Sequence, residues 1–273
     1  MTLRGTVLAA LAAMIAAGVG AAAAGAASDP GVRLTAAFPR DARLGAETPV
    51  AVGLKIAPRH LPAPVEELRL RFPDTLGIAT SGLGAATCSR PAADFEKVMI
   101  AAVRLAGCSP NAVMGRGTAR AEVRLGGHDR ASSLVIPELA NVTMLAAPFR
   151  ADRFGLLFLA NGQRPFGVTL AFAGEIGPAP RPFGGSLVMR VPPVPNQFDA
   201  VVALTQIAFE IGARDIRYRR GSGARASWYR PEGIVLPRRC PRAGFRFELE
   251  LRLADGRRPR ASAVAPCPRP ATG

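Results

Sequence analysis

Two groups of side chains in this 273-residue chain have types and spacings that could do chemistry: a set of glutamates and an aromatic–arginine cluster. Glu248 and Glu250 are two apart in an alternating run, so on a strand they share a face, while the adjacent Glu66 and Glu67 point to opposite faces. A pair of carboxylates on one face is the minimum equipment for glycoside hydrolysis, one acting as acid and the other as base or nucleophile. Arg246 and Arg252 flank the first pair, and a cross-strand charge ladder with Arg258 and Arg260 explains it more simply. The second group is Tyr218, Trp228 and Tyr229, with Arg225 and Arg230 beside them. Aromatic faces with polar handles next to arginines could form a sugar- or peptide-binding platform. The simpler expectation makes Trp228 a core residue and Tyr229 a rim residue.

Other chemistries find little to work with. His60 lies in a Pro-rich stretch and His128 in the turn-like Gly126-Gly127-His128-Asp129, and both read as solvated loop residues. They cannot make an H-E-x-x-H site, and no G-x-S-x-G elbow or usable S-x-x-K supplies a serine nucleophile. Gly184-Gly185-Ser186 and Gly221-Ser222-Gly223 lack the G-K-[ST] of a phosphate cradle. Four cysteines without a C-x-x-C spacing give zinc no support. The sequence therefore implies no cofactor, no metal and no catalytic residue.

Charge is the other chemical signal. The formal net charge is +15, and among 35 basic residues only Lys55 and Lys97 are lysine. One reading is a polyanionic partner such as cell-wall polymer. The plainer one is a GC-rich coding style that writes Arg for Lys, with arginines alternating against apolar residues on solvated strand faces. The densest stretch, Arg214 to Arg239, has too few aromatics for a specific nucleic-acid site.

These residues need elements to hold them, and the elements read as strands. Met1 to Ala27 has a short basic start, an apolar Ala-rich run and small residues at its end, the pattern of a cleaved signal peptide. It predicts a secreted product, extracellular or cell-wall associated, with no membrane span after its removal. In an oxidising compartment four cysteines predict two disulfides. Phe245 to Leu253 alternates apolar and charged residues before the turn Asp255-Gly256. Folding the chain back there sets Cys267 opposite Gly244, and a bend at Pro241-Arg242-Ala243 brings Cys240 to it. Cys240 thus pairs with Cys267, and Cys88 with Cys108. The loop between the second pair opens like a short helix at Asp94 to Met99, with Gly107 to stop it.

Strand-like runs at Val50–Ile56, Glu67–Phe72, Gly117–Leu125, Asn141–Ala147, Phe154–Leu159, Gly167–Ile176 and Gly185–Val191 suggest a sandwich, with Asn161-Gly162 as a hairpin turn. Pro192-Pro193-Val194-Pro195-Asn196 breaks the pattern. The expected organisation is a signal peptide over 1–27, an N-terminal β-sandwich domain over 28–191, a Pro-rich linker over 192–198, a small β-domain over 199–268 and a tail over 269–273. The fold class is all-β: two immunoglobulin-like sandwich domains, with one short helix in a disulfide-closed loop.

A basic and apolar N-terminus is followed by the strand Leu68-Arg69-Leu70-Arg71-Phe72-Pro73 and a loop ending in Cys108-Ser109-Pro110. Then come Gly115-Arg116-Gly117-Thr118-Ala119, and finally Cys240-Pro241, an alternating strand and a last cysteine. This order resembles a group of exported β-sandwich proteins of high-GC bacteria with no assigned function. In that group the second cysteine is followed directly by proline; here Ser109 intervenes. The resemblance implies a β-sandwich and supplies no site residue. The expected role is non-enzymatic, structural or adhesive, with binding to an anionic cell-envelope polymer or a surface protein. The rivals are an envelope-associated carbohydrate-active hydrolase and a nonspecific polyanion binder.

Overall fold

The computed structural model describes residues 28–57, 63–78, 88–89, 91–92, 99–100, 108–125, 134–150, 153–165, 167, 169–191, 200–212, 215–230 and 233–268. The expected signal peptide, the linker at 192–198, the tail, His60 and His128 lie outside them.

The alternation of β-branched and apolar residues with polar ones yields strands throughout. In chain order they begin with β1 (Val32–Ala37), β2 (Glu47–Thr48), β3 (Val50–Ile56), β4 (Val65–Pro73), β5 (Gly77–Ile78) and β6 (Met99–Ile100). A meander of longer strands follows: β7 (Val113–Leu125), β8 (Leu134–Arg150), β9 (Arg153–Arg164), β10 (Thr169–Pro178) and β11 (Phe183–Arg190). The rest are β12 (Val201–Ile211), β13 (Tyr218–Arg220), β14 (Ser227–Tyr229), β15 (Ile234–Val235), β16 (Phe245–Leu253) and β17 (Arg260–Ala265).

One large sheet runs β1-β3-β12-β7-β8-β9-β10-β11-β4-β16-β17, with β6 added alongside β10. Every pairing along it is antiparallel. An odd number of strands on such a path makes its two edges run parallel. Those edges come together: the Asp29 amide donates to the Arg260 carbonyl at 2.8 Å, and the Ser262 amide to Ser28 Oγ at 3.2 Å. The sheet is thus nearly closed, which removes most of the exposed edge that an open sheet presents.

Its interior is one core. Along β16 every second residue points in, and Phe245, Phe247, Leu249, Leu251 and Leu253 are all buried. Val50, Val52, Leu54 and Ile56 of β3 and Ile207 and Phe209 of β12 enter the same cluster. Phe158 stacks on Phe172 with centroids 5.1 Å apart, and Phe38 meets Phe245 edge-on at 5.0 Å. Burying side chains of this size stabilises the fold by roughly 2 kcal/mol each. The opposite face of β8 to β10 is buried as well: Leu145, Ala147, Leu157, Leu159, Ala171 and Ala173 pack beneath Cys88, Ala92 and Ala112. That double burial explains the unbroken apolar runs Met144–Ala147 and Leu156–Leu159.

The all-β class and both disulfides hold. Cys88 bonds Cys108 with Cα atoms 4.0 Å apart, and Cys240 bonds Cys267 with Cα atoms 6.0 Å apart. The Gly244 amide donates to the Pro241 carbonyl at 2.9 Å, so the chain bends where the pairing required.

The finer expectations change. In place of two immunoglobulin-like sandwiches, strands from both sides of Pro192–Asn196 interleave: β12 lies between β3 and β7, and β16 pairs with β4. Local alternation reports that a strand has a buried face; it does not report its neighbours. The short helix finds no support, since Met99-Ile100 pair with Thr169 and Leu170 as strand, and no helix of seven or more residues occurs among the described residues. Residues 93–98 and 101–107 of that loop lie outside the description. Asn161-Gly162 sits inside β9, where pairing to Asn141 and Ala140 on one side overrides the turn preference. In the last hairpin Phe245 faces Ala265, one residue from the expected register. The loop is Ala254-Asp255-Gly256: the Gly256 amide donates to the Leu253 carbonyl at 2.9 Å, and Gly256 adopts φ 84°, the three-residue turn that ends on a left-handed glycine.

Two outcomes follow from this architecture. Thermal unfolding should show a single transition, and Leu251→Ala should shift it as a whole, costing about 2–5 kcal/mol by chemical denaturation; two resolved transitions would contradict the shared core. Asp255 accepts from Arg257 Nε at 2.7 Å, and this bond holds its carboxyl below the usual range. A lowered pKa stabilises the fold above about pH 4 and loses that contribution as the pH falls through the lowered value. Asp255→Asn should therefore cost a few tenths of a kcal/mol at pH 7 and nothing in strong acid, read from denaturation midpoints at both pH values.

Candidate functional site

The hairpin β13–β14 stands outside the large sheet and carries the aromatic–arginine cluster. Its strands pair Tyr218 with Tyr229, Arg219 with Trp228 and Arg220 with Ser227. Between them the chain turns through Gly221 and Gly223, at φ 79° and 59°, and a single 3-10 turn over Gly223–Arg225. Alternation then divides the residues between two faces. One takes Tyr218, Tyr229 and Arg220, the other Arg219 and Trp228.

The first face is the anchor. Tyr218 is fully buried with Ile216 against Val113, and its hydroxyl donates to the Val113 carbonyl at 2.5 Å. Burial, with a smaller contribution from Tyr229, pushes the Tyr218 phenol well above its ordinary value, so it remains a proton donor in that bond. Tyr229 meets Tyr218 edge-on with centroids 5.4 Å apart, and the Arg220 guanidinium lies 4.8 Å over the Tyr229 ring. A second clamp grips the outer edge of β13. Asn111 Nδ2 donates to the Arg219 carbonyl at 2.7 Å while Asn111 Oδ1 accepts from the Arg219 amide at 2.9 Å, so one side-chain amide pairs as a strand residue would. Asn111 is itself fixed in a 3-10 turn whose N-cap, Ser109, accepts from the Asn111 amide at 3.2 Å, directly after Cys108. Arg116 and Asp215 add an exposed ion pair at 2.6 Å, worth under about 1 kcal/mol.

Against this rigid backing the second face is open. Trp228 is 64% exposed, with Arg219 opposite it and Arg217 and Arg230 exposed at the next alternating positions. Arg225 is exposed in the turn at the far end of the hairpin. The expectation that Trp228 is core is therefore overturned. Tyr218 takes the buried place because its hydroxyl can reach a backbone carbonyl there, and Tyr229 is the half-buried rim. Asn111, Arg217, Arg219 and Arg220 were not among the sequence candidates. The alternation of Arg217-Tyr218-Arg219 and Trp228-Tyr229-Arg230 already carried the two-faced pattern for the arginines; nothing local announced Asn111, which acts across the fold.

The glutamates sit elsewhere, on β4 and β16, and are tied to arginines; Glu66 and Glu67, expected on opposite faces, both reach Arg252, beside which the register of β4 against β16 shifts. Arg71 bonds Glu248 and reaches Glu250 at 3.5 Å; Arg246 lies 3.8 Å from Glu248 and Arg260 3.0 Å from Glu250. Glu67 is shared by Arg69 at 3.1 Å and by Arg190 and Arg252 at 4.0 Å, and Glu66 accepts from Arg252 at 2.7 Å. The ladder was expected, with two changes. Arg258 lies before β17 and outside it, because the register places Arg260 opposite Glu250, and Arg71 of the distant β4 is the central cation. Among the described residues no group of three or more His, Cys, Asp or Glu is placed to hold a metal ion, and no helix is long and apolar enough to cross a membrane.

Compared with protein-family models, curated proteins and solved structures, the chain matches none of them.

Removing the Tyr218 hydroxyl tests the anchor. Tyr218→Phe removes the donor to the half-buried Val113 carbonyl and should cost about 1 kcal/mol in urea unfolding, while the emission maximum of Trp228 stays that of a solvent-exposed indole. A blue shift in the folded variant would mean that the hairpin's two faces are not independent.

Proposed function

We propose that this is an exported, non-enzymatic binding protein of the cell envelope, whose contact surface is the Trp228 face of the β13–β14 hairpin and whose ligand is an anionic, sugar-containing envelope polymer. One observation carries the reading: the chain's single tryptophan is 64% exposed, amid arginines, on a hairpin held from behind by Tyr218 and Asn111. An exposed indole forfeits the burial that makes tryptophan stabilising, and a rigid backing lowers the ordering entropy lost on binding. The indole offers a flat apolar surface to a sugar ring, and Arg219, Arg217 and Arg230 offer paired donors to acidic substituents. Two disulfides and the signal-like Met1–Ala27 support the compartment. The hydrolase reading has less support, since Glu66, Glu67, Glu248 and Glu250 each hold an arginine.

Because Trp228 is the only tryptophan, its fluorescence reports on this face alone. Titration with purified cell-wall polymer should quench it and shift it to the blue. On a column of the same polymer the protein should be retained at a salt concentration that releases Trp228→Ala, with affinity lowered about tenfold or more in the variant, as for an aromatic anchor. Elution of both proteins together at modest salt, without change in the emission of Trp228, would reduce the interaction to nonspecific charge.

A further inference from the structure

A second surface departs from the charge pattern of β4 and β16. On the outer face of β1, β3, β12 and β7, Arg33 stands opposite Lys55, Lys55 opposite Gln206, and Gln206 opposite Arg120. All three cations are exposed. With strands about 4.8 Å apart, the row gathers three positive charges within roughly 15 Å. On β4 and β16 the arrangement is the reverse: Glu248 is set opposite Arg71, Glu250 opposite Arg69 and Arg252 opposite Glu67. Like charges placed directly opposite one another destabilise a sheet, so the Arg33–Lys55 pairing costs stability that the other face of the molecule gains.

The row borders an open depression of about 430 Å³, lined by Arg33, Lys55, Arg120, Thr205 and Gln206 with short apolar walls, and no carboxylate lines it among the described residues. β12 bulges between Leu204 and Gln206, which turns Thr205 into the depression, and Thr205 Oγ1 donates to the Arg120 carbonyl at 3.1 Å, fixing the strand that carries the third cation. Bulges of this kind re-aim side chains and gather beside functional sites. Lys55 sets a compact ammonium with rotatable donors beside the planar Arg33 guanidinium, so the pair can donate to several oxygens of one phosphoryl group.

We propose that this depression binds successive phosphoryl groups of an extended phosphate-bearing polymer. Arg33 and Lys55 grip one phosphoryl group, whose several oxygens accept from both, and Arg120 with the Gln206 amide receives the next. The cation row crosses four strands, roughly 15 Å, which is longer than one phosphoryl group, so the ligand is a chain and not an isolated ion. The inference is independent of the Trp228 face.

The test is titration of the purified, oxidised protein with a linear inorganic polyphosphate across a salt series, alongside Arg33→Gln, Lys55→Gln, Arg120→Gln and, as a control elsewhere, Arg40→Gln. Each of the first three should weaken binding about tenfold at fixed salt and lower the slope of log affinity against log salt by about 0.7, one counterion contact each. Arg40→Gln should keep the wild-type slope, Lys55→Arg should keep most of the affinity, and Trp228→Ala should bind polyphosphate as the wild type does, which separates this site from the hairpin. All the substituted side chains are exposed, and matching circular-dichroism melts establish that the variants fold. Slopes for the three site variants equal to that of Arg40→Gln would overturn the site. Equal affinity for a polyuronate would overturn its phosphoryl character, and inorganic phosphate competing at the same molar concentration would overturn the polymer.

Discussion

Strand β16 has to satisfy two demands in the same nine residues. Its inward side chains, Phe245 to Leu253 in steps of two, close the core, while its outward Glu248 and Glu250 neutralise Arg71, Arg246 and Arg260. Its backbone must meanwhile bond β4 on one side and β17 on the other. Arg71 and Glu248 are 177 residues apart in sequence, so the sheet cannot close until almost all of the chain exists. Loop-closure entropy of that size opposes folding before any contact repays it, and slow assembly is the expected consequence. The two disulfides act on shorter loops, with cysteines 20 and 27 residues apart, and each stabilises its own corner by roughly 3 kcal/mol in the chain-entropy account.

What was legible in the chain is what local physics determines. Strand-like runs marked β3, β4, β7 and β11, period-two alternation marked β16, and the geometry of the Asp255-Gly256 turn with the bend at Pro241 sufficed to pair Cys240 with Cys267. Neighbour choice was not legible. A Pro-rich segment looks the same whether it joins two domains or crosses one, and the insertion of β12 between β3 and β7 depends on which edges remain unpaired once the meander has formed. The one-residue register difference shows the same limit on a smaller scale: Asp255-Gly256 fits a two-residue turn as well as the second half of a three-residue one, and the bond from the Leu253 amide to the Arg257 carbonyl marks the longer loop.

The site was visible as a cluster and misjudged as to sides. Composition drew attention to Tyr218, Trp228 and Tyr229, yet three aromatics on a short hairpin cannot all face inward, and which one does depends on a carbonyl, that of Val113, 105 residues away. The arginines divide by context in the same manner. Those of β4 and β16 serve the sheet by neutralising glutamates, those beside Trp228 face solvent around an indole, and Arg33 and Arg120 share a row with Lys55 in which no carboxylate takes part. A uniform compositional bias thus serves three unlike surroundings.

The sulfur bridges also determine how the molecule carries mechanical tension. A pull on the chain beyond Cys267 passes through its sulfur to Cys240 and leaves the whole β16–β17 hairpin slack, and a pull travelling along the chain past Cys88 leaps to Cys108 in the same way. The last hairpin of the core is therefore outside the force path, and a protein tethered at its end would yield first between its strands elsewhere, keeping its most deeply buried strand in place until those bridges are reduced.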